Sequence, residues 1–132
     1  MGHSVKCLDS AFCIDFANGE PRALRKAEDL SAQGDRLAIP APALTEFLAG
    51  AFHQGGRRLD QALRFVAELE VLDVTEPIAV EAARLGGECL RRGQPVGTLD
   101  LLIAATAKHH HAQLLTRDAD FARVSGLILE TY

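Results

Sequence analysis

Apolar residues recur along this chain at two alternating periods. Ser4 to Leu8, with Val5, Cys7 and Leu8 apolar, predicts a strand that stops at Asp9. Ser10 to Ala17 predicts a helix, with Phe12 and Phe16 one turn apart. Gly19-Glu20-Pro21 is a break, and Pro21 suits the first position of a second helix reaching about Gln33, with Ala23, Ala27 and Leu30 on one side. Leu37-Ala38-Ile39 predicts a strand stopped by Pro40 and Pro42. Leu44, Phe47, Leu48 and Ala51 then fall at i, i+3, i+4 and i+7, predicting a helix to about Ala49, with Gly50 and Gly55-Gly56 flanking a turn.

The second half repeats the alternation. Arg57 to Glu70 predicts a charged amphipathic helix with Leu59, Leu63, Val66 and Leu69 inward, and Val71 to Val74 a strand. Thr75 is a natural N-cap for a helix that stripes Ile78, Ala82, Leu85 and Cys89 and ends at Gly93. Gly97-Thr98 opens another helix through about His109. Gln113 to Thr116 predicts a strand, Asp118 to about Val124 a short helix, and Leu127 to Leu129 a last strand. Short strands alternating with helices indicate an α/β fold with a parallel sheet and helices on both faces. No repeat, low-complexity stretch or linker interrupts the pattern, so one domain is expected over residues 1–132.

Composition narrows the class. Apolar residues make up 48% of the chain and charged residues 24%, which excludes disorder and a disulfide scaffold. No apolar run reaches the ~18 residues a membrane span needs. Fourteen Lys and Arg against 18 Asp and Glu leave a net charge of −4, which argues against a generic polyanion binder. An enzyme that meets a polyanion through bound cations stays open. Cys7, Cys13 and Cys89 sit among apolar neighbours without a C-x-x-C pair, as small buried hydrophobes in a reducing compartment do. With no secretory signal apparent, the cytoplasm is the expected location.

Candidate chemistry lies in the carboxylates. Ligands of open α/β sheets gather at the carboxyl ends of the strands. Asp9 follows the first predicted strand and Asp118 follows Leu115-Thr116-Arg117. Each also suits a plain helix cap. Asp100 is harder to explain as a cap, because its helix, Leu99 to Ala107, is apolar on every side. A first-turn carboxylate gains only about 0.3–1 kcal/mol from the helix dipole. Desolvating an unpartnered ion costs several kcal/mol. Asp100 therefore calls for a cation or strong donors, and no Lys or Arg stands near it at helical spacing. Glu46 falls opposite the Leu44-Phe47-Leu48 stripe, and periodicity alone makes it a solvated glutamate.

Four segments in order resemble one family. They are Val5-Lys6-Cys7-Leu8-Asp9-Ser10 with the apolar helix behind it, Leu44-Thr45-Glu46-Phe47-Leu48-Ala49-Gly50, Gly97-Thr98-Leu99-Asp100-Leu101-Leu102-Ile103-Ala104-Ala105, and Leu114-Leu115-Thr116-Arg117-Asp118-Ala119-Asp120-Phe121. The chain resembles a PIN domain of the VapC type, the toxin of type II toxin–antitoxin modules. The resemblance implies a PIN-like three-layer α/β/α fold with a short, mainly parallel sheet. It also implies a Mg²⁺- or Mn²⁺-dependent endoribonuclease, with Asp9, Glu46, Asp100 and Asp118 as the catalytic carboxylates. Asp9, Asp100 and Asp118 are expected to hold metal, and Glu46 to orient water or a second ion. Thr116 and Asp120 are accessory candidates, and Arg117 is the candidate RNA contact. RNA, a cognate antitoxin protein and a second copy in a homodimer are the implied partners.

The chemistry agrees with that donor set. Two unit charges ~4 Å apart repel by about 4 kcal/mol at an effective dielectric of 20. Clustered carboxylates therefore need divalent cations, or one of them protonates. Oxygen donors without Cys or His suit Mg²⁺ or Mn²⁺. His109-His110-His111 cannot converge on one ion from a helix, and a helix end or turn is the simpler reading. Two other classes fit less well. A phospho-acceptor domain calls for an acidic pair after the first strand and a late lysine, and a haloacid-dehalogenase-type phosphatase calls for D-x-D, where position 11 is Ala. A catalytically inactive PIN-like binding module is the alternative within the family.

Overall fold

The first strand occupies the centre of the sheet and dictates the rest. In a computed structural model that describes residues 5–132, β1 (Val5–Leu8) is buried through Cys7 and Leu8 and pairs in parallel with strands on both sides. Ser4, placed by the pattern at the start of this strand, lies outside the described residues. The chain continues through α1 (Ser10–Ala17), α2 (Pro21–Gln33), β2 (Arg36–Pro40), α3 (Ala41–Gln54), α4 (Gly56–Ala67) and β3 (Glu70–Leu72). It then runs through α5 (Glu76–Arg91), α6 (Thr98–His109), β4 (Gln113–Leu115), a 3₁₀ turn at Ala119–Arg123 and β5 (Leu129–Glu130). All pairings are parallel, in the order β3-β2-β1-β4-β5.

This is the three-layer α/β fold expected from the alternation. Helix α3 packs on α1, α4 and α6, and α5 lies along α6. A strand buried on both faces reads as an apolar run, and β1 and β4 meet that condition through Cys7, Leu8, Leu114 and Leu115, all fully buried. Local signals end the elements where expected. Pro21 opens α2, and Gly34, in a left-handed conformation with φ +70°, closes it. The three cysteines are buried thiols, and burial pushes the Cys7 thiol up to about 12. The histidine triplet forms a helix end and turn, with His109 ending α6 and His111 at φ +53°.

Several boundaries differ from the pattern. Helix α3 runs through Gly50 to Gln54, because nothing local to Gly50 forces a left-handed backbone, and the break comes at Gly55, φ +65°. Helix α4 stops at Ala67 rather than Glu70. Its chain must extend early enough for Glu70–Leu72 to pair with Ala38–Pro40. The Val71–Val74 expectation is thereby shifted to Glu70–Leu72. Leu63 is 40% exposed and does not face the core. The last strand pairs at Leu129–Glu130, just after the predicted Leu127–Leu129.

Candidate active site

Strand order brings the candidate residues to one end of the sheet. From β1 the chain builds outward to β2 and β3, then crosses back to place β4 and β5 on the other side of β1. Connections therefore leave β1 and β4 in opposite directions, and a crevice opens at their carboxyl ends. Leu8 lies opposite Leu115. One residue further on, the Asp9 amide donates to the Leu115 carbonyl at 3.1 Å, so the residues after both strands meet. Helix α6 runs into β4, which turns its first residues, Asp100 among them, toward the same end of the sheet. Helix α3 leaves β2, the other neighbour of β1, and carries Glu46.

Asp9 is the centre of this arrangement. It is 3% exposed and is the N-cap of α1. Its Oδ1 accepts the Ser10 amide at 2.8 Å, and its Oδ2 accepts the Thr116 hydroxyl at 2.7 Å. The capping reading of Asp9 is thus correct, and it describes only one of the two oxygens. Thr116 is buried, and its hydroxyl oxygen also accepts the Asp118 amide at 3.0 Å. Asp118 in turn caps the following 3₁₀ turn, its Oδ1 accepting the Asp120 amide at 2.9 Å.

Ser10, which the sequence pattern offers only as an alternative cap for the first helix, has a part in the site. Its hydroxyl lies 3.4 Å from Asp9 Oδ1 and hydrogen-bonds the Glu46 carboxylate. Glu46 has the exposed position that its periodicity predicts, yet it reaches the site through Ser10. A small polar residue directly after Asp9 was the available signal. Arg117 is placed beside the site with its guanidinium on Asp15.

The electrostatics tie the acids together. Burial pushes the Asp9 carboxyl above its ordinary range, the Thr116 and Ser10 donors pull it back, and the charges of Glu46 and Asp118 add to the rise. Asp100 is pushed up to about 6, first by burial and then by Asp9, Asp118, Glu46 and Asp120. Among the described residues no Lys or Arg forms an ion pair with Asp9, Glu46, Asp100 or Asp118.

Such a site is short of positive charge. Its donors are all oxygen, which suits a hard divalent ion. The carboxylates do not form a closed cage: among the described residues no three acidic, His or Cys side chains stand close enough to enclose an ion. Mg²⁺ keeps several of its waters and is bound through one or two protein carboxylates rather than a full cage.

A second concavity lies between α1, α3 and α4. It has a volume of about 200 Å³ and is lined by Ile14, Phe16, Phe47, Ala51, Ala62 and Phe65, together with the polar Arg58 and Gln61.

Comparison with known proteins shows the family. Residues 6–127 match the PIN domain family. The chain is 30% identical over 128 residues to the tRNA(fMet)-specific endonuclease VapC of Shigella flexneri, covering 95% of this chain and 96% of that protein. It is 32% identical over 127 residues to ribonuclease VapC11 of Mycobacterium tuberculosis, covering 91% and 93%. Its fold is similar to the VapBC2 structure from Rickettsia felis bound to a promoter DNA fragment, with a TM-score of 0.82, 26% identity and coverage of 97% and 98%.

Proposed function

Because this chain belongs to the PIN-domain family, in its VapC branch, we propose that it is the toxin of a toxin–antitoxin pair and acts as a divalent-metal-dependent endoribonuclease. What supports this reading is that Asp9 is linked to Asp118 through Thr116 and to Glu46 through Ser10, that the charges of all three reach Asp100, and that among the described residues no Lys or Arg is paired with any of the four.

Asp9 and Asp100 would hold Mg²⁺ or Mn²⁺, with Asp118 assisting directly or through water. A bound divalent ion supplies a water of lowered pKa and neutralises charge on the phosphodiester. The chain's own residues arrange the rest. Ser10 and Thr116 each occupy one oxygen of Asp9 and fix its carboxylate plane. Each oxygen keeps a lone pair for a further partner. Glu46, held by the Ser10 hydroxyl, is the group placed to orient a water. The Asp120 amide orients Asp118. With no Trp and Tyr132 the one Tyr, RNA recognition rests on shape and backbone rather than on aromatic stacking. Arg117 is the nearest basic candidate for the backbone.

The same reading supplies the partners. The groove between α1, α3 and α4 is mostly apolar and is the surface assigned to an antitoxin segment. Leu24 on α2 and Leu63 on α4, each 40% exposed, are apolar positions that a homodimer would cover. Among the described residues no helix is long and apolar enough to cross a membrane.

The test is RNA cleavage titrated with Mg²⁺ and Mn²⁺. Wild-type protein cleaves with either ion and stops with chelator. Asp100→Asn lowers the rate at least about a hundredfold while its circular dichroism is unchanged. Cleavage by Asp100→Asn at the wild-type rate rejects the site. No cleavage by the wild type under any metal points to the inactive binding module.

A further inference from the structure

Just outside the carboxylate crevice, three side chains from distant stretches are joined. Asp15 lies on α1, six residues beyond Asp9. Its Oδ2 accepts Arg117 Nε at 2.6 Å and its Oδ1 accepts Arg117 Nη2 at 3.3 Å. The Tyr132 hydroxyl donates to the same Oδ2 at 2.6 Å. Tyr132 follows β5, and its ring meets buried Phe12 edge-on, with centroids 5.0 Å apart.

The burial is asymmetric. The Asp15 side chain is 15% exposed and that of Arg117 is 54% exposed. Asp15 is therefore the fixed member, set by α1 and by Tyr132, and the guanidinium is laid onto it. An exposed ion pair contributes little to stability. A two-pronged Arg–carboxylate contact does fix direction. Arg117 stands between Thr116, which bonds Asp9, and Asp118, so its side chain anchors the short loop that spaces these acids.

We propose that Asp15, backed by Tyr132, is a positioning residue: by holding Arg117 it keeps the 116–118 loop, and with it Asp118, in register with Asp9 and Asp100. This rests on the nuclease reading above and adds to it a tether that lies outside the four carboxylates. The competing role for Asp15 is that of a plain counter-ion to an RNA-contacting Arg117. The two roles predict opposite kinetics for Asp15→Asn. A tether lowers kcat about tenfold and leaves KM for RNA within about twofold, since small misplacements of reacting groups act on the chemical step. A counter-ion frees Arg117 when removed, lowering KM with kcat unchanged.

The experiment uses Asp15→Asn and Tyr132→Phe in the full chain, the second keeping the ring against Phe12 and removing only the hydroxyl. Three readouts are taken: kcat and KM on a defined RNA, Mn²⁺ binding by calorimetry, and hydrogen exchange at the Asp118 and Asp120 amides. Expected are the fall in kcat, a several-fold weaker Mn²⁺ affinity, and faster exchange at both amides, with Tyr132→Phe milder than Asp15→Asn. Unchanged exchange in both variants overturns the tether whatever the activity. Faster exchange with kcat unchanged overturns its role in positioning. A wild type that does not cleave RNA, while exchange quickens in the variants, removes the nuclease reading and leaves the tether.

Discussion

At the scale of single residues, Asp9 and Asp100 show how burial and charge compete. Asp9 tolerates burial because each oxygen has a donor. Asp100 is only partly buried, and its carboxyl is raised to about 6 by burial and by four neighbouring acids. The sign of the effect on stability follows. A carboxyl raised in the folded protein binds its proton more tightly there than in the unfolded chain, so metal-free stability declines as pH rises from the ordinary range of about 4 through 6. In chelator at pH 7.5, Asp100→Asn is therefore expected to melt about 2–4 °C above wild type, a gap that closes near pH 4. Mn²⁺ reverses the order by stabilising wild type more than the variant. Thermal melts at the two pH values, with and without Mn²⁺, check all three statements, and a variant that melts below wild type in chelator at pH 7.5 contradicts an ionised Asp100 disfavoured by burial and by its acidic neighbours.

At the scale of elements, α6 is the one whose composition matters most. Ile103, Ala104, Ala105 and Ala107 are fully buried between the sheet and α5. The small residues let neighbouring backbone approach, and the Asp100 end is thereby held against the carboxyl ends of the strands. Gly86 of α5 shows how close the approach is: a Cβ there would stand 2.8 Å from Leu101 Cδ1. Ala104→Leu is expected to destabilise by about 1–3 kcal/mol through overpacking, measured by urea unfolding. A neutral result would mean that α6 sits more loosely than its burial indicates. Elements themselves were readable from periodicity because period and punctuation are local properties. The boundary between helix α4 and β3 differs from the pattern by a few residues because it is set by pairing of Glu70–Leu72 with Ala38–Pro40 of β2, 32 residues earlier in sequence. Glu46 was ambiguous for a related reason. Its helical face is solvated, and only the packing of α3 on α1 brings it to Ser10.

At the scale of the whole molecule, one order of strands serves two surfaces. The return of the chain across β1 opens the acidic crevice, and the packing of α1 and α4 on α3 leaves the apolar groove. The two are separable by substitution. Gly50 lines the groove, and a Cβ there meets nothing within 4 Å, so Gly50→Trp should fold normally while filling the space. On the proposed function, affinity for a cognate antitoxin is expected to weaken about tenfold or more, with RNA cleavage retained, as an apolar anchor site predicts. Co-purification and a cleavage assay on the same preparation check this. Undiminished retention would place the antitoxin elsewhere.

Amino-acid order alone was enough for the α/β class, the parallel sheet, the apolar α6 and the suspicion that Asp100 needs a positive partner, since hydropathy period and the cost of burying a charge act within a few residues. The company that Asp9 keeps was not available from it. Thr116 on one oxygen, Ser10 leading to Glu46, and the tie from Asp15 to Arg117 and Tyr132 all join residues that are far apart along the chain. Which distant side chains meet depends on how β1 comes to lie beside β4 and how α3 packs on α1, and a hydrogen bond a few ångströms long exists only once those alignments are made.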